Sequence, residues 1–496
     1  LLAIAMASSC GRSRPVERMA FLPFENLSGD ESLDWISSAA PGILRVEMTG
    51  ALNTVPVQVD TVRDTWTTRA TEICYGYFSR AGAKLRLEIV VQDSARSKTV
   101  SSFSAEGPLA GGLLPLLDPI AHRMDKRVRP LGTHSQDAIE QWGRAMAAPD
   151  PQARAAAYEK VVADDGKFGP GYVGWAQALL AAGDRAGATR VIGKARDMGA
   201  LLDDVSRAEM DLLSSNMTGD RQLRHEALVT LSRLTQHDVF AVRSLAEEEF
   251  KARHFTVAAD LYRKASGLDP EDAALLNSFG YAQAFARDLP GATSTLKDYA
   301  KQPGQQANGL DSLGEVHYFL GKFADAETYF LKAQQANAAL LGGGDLLKAA
   351  EARLMTGDRN GADGLFRQYA DFRRRSKDPN VDLESARWEY RTGRRSHAVA
   401  HLESFTASGS GDAASLADAQ LVIWYLEAGD TARAAVHAGR AADRASSTQM
   451  RSLAAACKFL VAPSTLAGMP KPVQAISLLL SKRFSDAVPI LKEIYG

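Results

Sequence analysis

The stretch Gly321-Lys322-Phe323-Ala324-Asp325-Ala326-Glu327-Thr328-Tyr329-Phe330-Leu331-Lys332-Ala333 decides the fold. Its Ala326, Phe330 and Ala333 share one side of a helix, because helical neighbours recur every three or four residues. The same pattern of a small residue, a large apolar one and a small or aromatic one stands 34 residues upstream as Ala292, Leu296 and Tyr299. It stands 34 further upstream as Ala258, Tyr262 and Ala265. A second register agrees, since Leu245, Phe279 and Leu313 are also 34 apart and Gly280 and Gly314 follow the last two. The step then lengthens to 36, in Ala326, Ala362, Ala398 and Ala434 and in the turn glycines Gly321, Gly357, Gly393 and Gly429. Two registers that change step together mark a repeat of paired helices.

The reason is steric. Antiparallel helices approach closest where Ala and Gly leave room, larger residues fill the next layer, and Gly with Asp ends the first helix by taking a left-handed conformation. Ala181-Ala182-Gly183-Asp184, Thr356-Gly357-Asp358 and Ala428-Gly429-Asp430 show that turn. Upstream, Trp175, Gly183, Ala188, Ile192 and Ala195 fit a further unit, and residues 158–170 supply the second helix of an earlier one. Between 203 and 237 the pattern is irregular. Residues 443–472 match poorly, and Pro463, Gly468, Pro470 and Pro472 predict a loop there. Phe484, Ala487 and Leu491 form a closing cap. Residues 135–496 therefore read as roughly nine or ten hairpins in a superhelical solenoid.

This region resembles tetratricopeptide-repeat proteins, most specifically over 238–340. The resemblance implies a protein or peptide partner on the concave face, lined by the first helix of each hairpin. Carried over position by position, it puts Arg243, Glu247, Lys251, Asn277, Tyr281, Asn308, Asp311, Glu315, Tyr318, Arg387, Tyr390 and Arg391 there. Members that clamp a peptide carboxylate would place lysine and asparagine at positions 243 and 247, where Arg243 and Glu247 stand, so a chaperone-tail ligand is not expected.

Ahead of the repeats, residues 17–130 predict a small α/β domain. A short apolar run from Arg18 to Phe24 enters a turn at Glu25-Asn26-Leu27-Ser28-Gly29-Asp30, and a helix follows on Leu33, Ile36, Ile43, Leu44 and Met48. Val55, Val57 and Val59 alternate as a strand. Three more strands are expected over 72–79, 84–92 and 98–105; in the middle one Leu85, Leu87, Ile89 and Val91 face one way and Lys84, Arg86 and Glu88 the other. A last helix covers about 111–128. The run Phe21-Leu22-Pro23-Phe24-Glu25-Asn26-Leu27-Ser28-Gly29-Asp30 resembles the TolB-amino-terminal-like and FlgO-like domains, which implies an extracytoplasmic or regulatory interaction module. Glu25, Asp30 and Asp34 have no basic residue near them in sequence and read as turn and helix cap.

Residues 1–16 carry the expectation about location. The chain opens on Leu1, and Ala7-Ser8-Ser9-Cys10-Gly11 resembles a truncated bacterial lipoprotein signal and tether, which implies lipidation of Cys10 and an extracytoplasmic, lipid-anchored place in the cell envelope. If Cys10 is used so, Cys74 and Cys457 are expected as free thiols. With 45% hydrophobic and 24% charged residues the chain folds, and 58 basic against 59 acidic residues draw in no nucleic acid. His397 and His401 lie four apart with Glu403 nearby, without a third ligand that sequence can place. Between 363 and 395 nine basic residues face six acidic ones, Arg373, Arg374 and Arg375 among them, and read as a solvated surface. Gly409-Ser410-Gly411 reads as a linker.

The expectation is thus an α+β chain: a non-enzymatic envelope scaffold that binds protein, with no cofactor, metal, small-molecule substrate or nucleic acid. The alternative is a cytoplasmic sensory or regulatory module of a transcriptional regulator, kinase or cyclase system. A hydrolase or nucleotide binder would need a phosphate loop or nucleophile elbow, and the sequence has neither.

Overall fold

The computed structural model describes residues 16–51, 53–462, 466 and 468–495. Cys10 and the lipoprotein-like run lie outside them. The chain forms two compact units, up to Ala282 and from Gln283.

The first unit begins with six strands, β1 (Glu17–Phe21), β2 (Glu25–Asn26), β3 (Thr54–Gln58), β4 (Glu72–Ala81), β5 (Lys84–Asp93) and β6 (Lys98–Pro108). Their order is β3-β1-β4-β5-β6, with β2 beside β4. β1 runs parallel to β3 and β4, whereas β4, β5 and β6 form an antiparallel meander. On β5 the expected alternation holds: Leu85, Leu87, Ile89 and Val91 are buried while Lys84 and Arg86 are exposed. Helices α1 (Ile36–Met48), α2 (Asp64–Thr67) and α3 (Leu114–Met124) complete this layer. Asp30 caps the turn ahead of α1 through Ser32 N and meets Arg80 Nη1 at 2.7 Å, so a distant strand supplies the basic partner that sequence proximity lacked.

The helical pairs of this unit follow: α4 (Gln136–Ala147) with α5 (Pro151–Asp164), α6 (Gly169–Ala181) with α7 (Arg185–Met198), α8 (Asp204–Thr218) with α9 (Arg221–Leu234), and α10 (Val239–Lys251) with α11 (Phe255–Leu268). The stretch 203–237, irregular in pattern, is an ordinary pair whose first helix is capped by Asp203 on Ser206 N. One continuous core runs from Phe21, Ile43 and Leu87 under the sheet to Trp142, Tyr158 and Phe168 in the helices. Gly143 makes the junction possible, because a Cβ there would meet Trp35 O at 2.5 Å. Helix α12 (Ala273–Phe285) carries the boundary.

The second unit comprises α13 (Leu289–Lys301), α14 (Gln306–Phe319) with α15 (Phe323–Ala336), α16 (Gly344–Met355) with α17 (Arg359–Arg375), α18 (Val381–Arg391) with α19 (Arg395–Ser408), and α20 (Gly411–Glu427) with α21 (Thr431–Arg444). Helices α22 (Thr448–Val461), α23 (Lys471–Leu480) and α24 (Phe484–Tyr495) end it. The loop expected over 443–472 is corrected in its first part: Ser447 caps Met450 N and starts α22, which runs to Val461. The repeat alanines Ala258, Ala292, Ala326, Ala362, Ala398 and Ala434 are wholly buried, as close helix packing requires. Gly321, Gly357, Gly393 and Gly429 take the left-handed conformation that ends a helix, and Arg253 and Arg287 hold the same place with φ of 66° and 69°. The fold class is α+β, a mixed sheet followed by tetratricopeptide-like helical pairs.

Candidate functional site

Stacking hairpins at a fixed step lines up equivalent positions of the first helices, so one face of each array collects side chains from every unit. In the second unit that face is a run of polar bridges. Lys348 of α16 reaches Asp311 at 2.7 Å and Glu315 at 2.6 Å, both on α14, and lies over the Phe330 ring. Arg391 of α18 pairs with Glu351 of α16. Arg387 donates to Gln420 of α20 at 2.9 Å and to Glu384, and Tyr390 O–H donates to Glu427 at 2.6 Å with its ring stacked 4.3 Å from Trp424. Asn308 donates to Gln305. Burial and the Glu427 carboxylate push the Tyr390 hydroxyl up to about 12. Below this layer sits Asp345, wholly buried, with neither carboxylate oxygen meeting a donor. Burial and the neighbouring Asp311 push its carboxyl up to about 7.

The first unit places Arg243 between Glu247 at 3.0 Å and Asp272 at 3.2 Å. Lys251 is exposed, Tyr281 is half-buried, and Asn277 Oδ1 meets no donor among the described residues. The structure therefore uses Arg243, Glu247, Asp311, Glu315, Arg387, Tyr390 and Arg391 to join side chains within and between helices.

The same register, read one column further, finds what was missed. Lys251, Phe285, Phe319, Met355, Arg391 and Glu427 are equivalent residues at steps of 34, 34, 36, 36 and 36. In the second unit Phe285 (40% exposed), Phe319 (56%) and Met355 (53%) point into solvent although each ends an otherwise well-buried helix. Phe285 and Phe319 stack at 5.9 Å, and Tyr318 packs edge-on against Phe319 and Phe323. The signal in sequence was two phenylalanines 34 apart, next to the core column instead of in it.

The other chemistry-bearing residues are engaged. His397 and His401 both face Glu389, at 3.0 and 3.3 Å, while Glu403 pairs with the Tyr425 hydroxyl. Among the described residues no group of three His, Cys, Asp or Glu side chains is placed to hold a metal ion. Arg373 and Arg374 pair with Asp378 and Asp371. Ser410 lies between two helices, as Ncap of α20. Cys74 and Cys457 are buried free thiols, with burial pushing Cys457 up to about 11. Among the described residues no helix is long and apolar enough to cross a membrane.

No family model and no curated protein sequence matches the chain. Solved structures that it resembles include tetratricopeptide-repeat proteins. YrrB, described as a TPR protein with an unusual peptide-binding site, is 16% identical with a TM-score of 0.34, over 40% of this chain and 98% of that one. A tetratricopeptide repeat protein from Parabacteroides merdae is 14% identical with a TM-score of 0.33, over 51% and 98%. MamA is 15% identical with a TM-score of 0.31, over 35% and 94%.

Proposed function

We propose that the chain is a non-enzymatic scaffold that holds a protein partner on the first-helix face of its second unit. The observation that carries this reading is the solvent-facing stack of Phe285 and Phe319, continued in register by Met355 and edged by Arg391 and Glu427. Exposed aromatics that repeat at the hairpin step offer a large apolar contact at low ordering cost, and contiguous exposed apolar residues on a soluble fold are characteristic of interaction sites. The bridged polar layer beside them keeps the face rigid, which limits what association must order.

We further propose that the scaffold works in the bacterial cell envelope, held by a lipid on Cys10. The support is the Ala7-Ser8-Ser9-Cys10-Gly11 run together with the TolB-amino-terminal-like decapeptide. Two measurements test the reading. Cross-linked pull-downs from envelope extract should recover a partner with the wild type and lose it with Phe285→Ser and Phe319→Ser combined; equal recovery removes the face. The mass of the mature amino terminus should show acylated Cys10 in the membrane fraction; an unmodified, soluble terminus favours the cytoplasmic regulatory module instead.

A further inference from the structure

The first unit contains a cavity of about 630 Å³ where charge is left over. It is bounded by α1 and β3 on one side and by α4, α6, α8 and the start of α10 on the other. Much of the wall is apolar, through Val46, Val57, Trp142, Met146 and Val173. Four arginines reach it, and three are engaged: Arg18 and Arg69 by Asp269, and Arg129 by Asp203. The fourth is Arg45, in the last turn of α1. Among the described residues its guanidinium has no hydrogen bond and no ion pair, and neither has the Glu209 carboxylate of α8, which is its nearest opposite charge. They interact across the cavity without touching.

A partly buried guanidinium lining a cavity, with no protein acceptor and with like-charged Arg129 beside it, gains from an anion that takes its hydrogen bonds. Burial lowers the Arg45 pKa, which reports the same deficit. A planar carboxylate matches the guanidinium fork with two parallel hydrogen bonds. The remaining charges limit the choice of anion. Glu209, Asp238 and the Asp203 next to Arg129 would repel a dianion such as phosphate, so one negative charge fits and two do not. The volume is that of an ordinary small-ligand site, and its apolar wall calls for an apolar body behind the charge.

We propose that this cavity binds a monocarboxylate carried on a small apolar body, with Arg45 taking the carboxylate. This departs from the sequence-based expectation of no small-molecule ligand, and it is independent of the protein-binding face, which lies in the other unit.

Glu209 supplies a second signature. Burial pushes its carboxyl up to about 7 against the pull of Arg129 and Arg45, with Asp203 and Asp238 opposing ionisation and Tyr158 and His237 completing the wall. Protonated, it can donate to the bound carboxylate; ionised, it repels it. Affinity should therefore fall as pH rises through about 7, by about tenfold between pH 6 and pH 8.

The test is calorimetric titration of the full chain with octanoate, with neutral octanol, and with N-acetyl-Val-Leu bearing a free or an amidated carboxyl end. A carboxylate probe should bind at least tenfold tighter than its neutral counterpart. Octanoate binding above the dipeptide assigns a free small molecule, and the reverse assigns a chain terminus, with the same carboxylate chemistry upheld in each. Arg45→Met should abolish binding. Should that variant fail to fold, Arg45→Lys, which keeps the charge and loses the fork, should weaken binding at least fivefold. Glu209→Gln should bind and lose the pH dependence. Equal binding of octanoate and octanol, undiminished binding in both Arg45 variants, or no heat from any carboxylate at millimolar concentration overturns the proposal.

Discussion

The two units treat charge in opposite ways. In the second, the surface of the first-helix face is bridged: Lys348 satisfies Asp311 and Glu315, Arg391 satisfies Glu351, and Arg387 and Tyr390 reach α20, with Asp345 beneath them lacking a donor. In the first, Arg45 and Glu209 line a cavity and, among the described residues, make no ion pair. A satisfied network fixes geometry, since removing one member strands the others, whereas a charged group without a protein partner is left for water or a ligand to satisfy. The sharpest way to break this contrast is to delete one cation from each region. Lys348→Met leaves Asp311 and Glu315 without their cation and should lower the stability of the second unit by about 2–3 kcal/mol. Arg45→Met removes a desolvated charge without an acceptor and should leave ligand-free stability unchanged or raised. Denaturant titration with hydrogen exchange resolved by unit measures both, and equal losses in the two variants would end the distinction.

Asp345 sharpens the comparison with a pH axis. Its folded carboxyl is raised to about 7 from an unfolded value near 3.8, so between those values the folded state keeps a proton that the unfolded chain has released. Stability of the second unit therefore falls as pH rises through that window and levels off above about 7. Asp345→Asn, neutral at every pH, should match the wild type near pH 4 and exceed it by about 1–3 kcal/mol at pH 8. A variant less stable than wild type at pH 8 would show that the ionised carboxylate is needed.

The smallest effect concerns the turns. Arg287 sits at φ 69°, where the equivalent Gly321 pays no steric penalty. Arg287→Gly should stabilise by about 0.5–1 kcal/mol, and Gly321→Ala should destabilise by a similar amount, read from thermal midpoints. A loss in the first would mean that the Arg287 side chain contributes more than its backbone strain costs.

These turns also show what was legible. The repeat could be read because close helix packing admits only Ala or Gly at certain positions, and the strand β5 because its two faces differ in polarity. Arg253 and Arg287 hid two turns, since a left-handed arginine has no sequence mark of its own. Helix α22 was hidden by the prolines beyond it, although Ser447 was an available cap. On the candidate face the register missed Phe285 and Phe319, because an apolar residue at the end of a helix reads as core until its exposure is known.

The sequence by itself determined the period, the helical pairs and the alternating strands, because those follow from local sterics and from spacings of a few residues to one repeat. Only the tertiary structure decided that Lys348 joins Asp311 to Glu315, that Asp345 is buried without a donor, and that Arg45 of α1 faces Glu209 of α8 across a cavity. Pairing and desolvation depend on distances between segments far apart in the chain, and no local pattern encodes them.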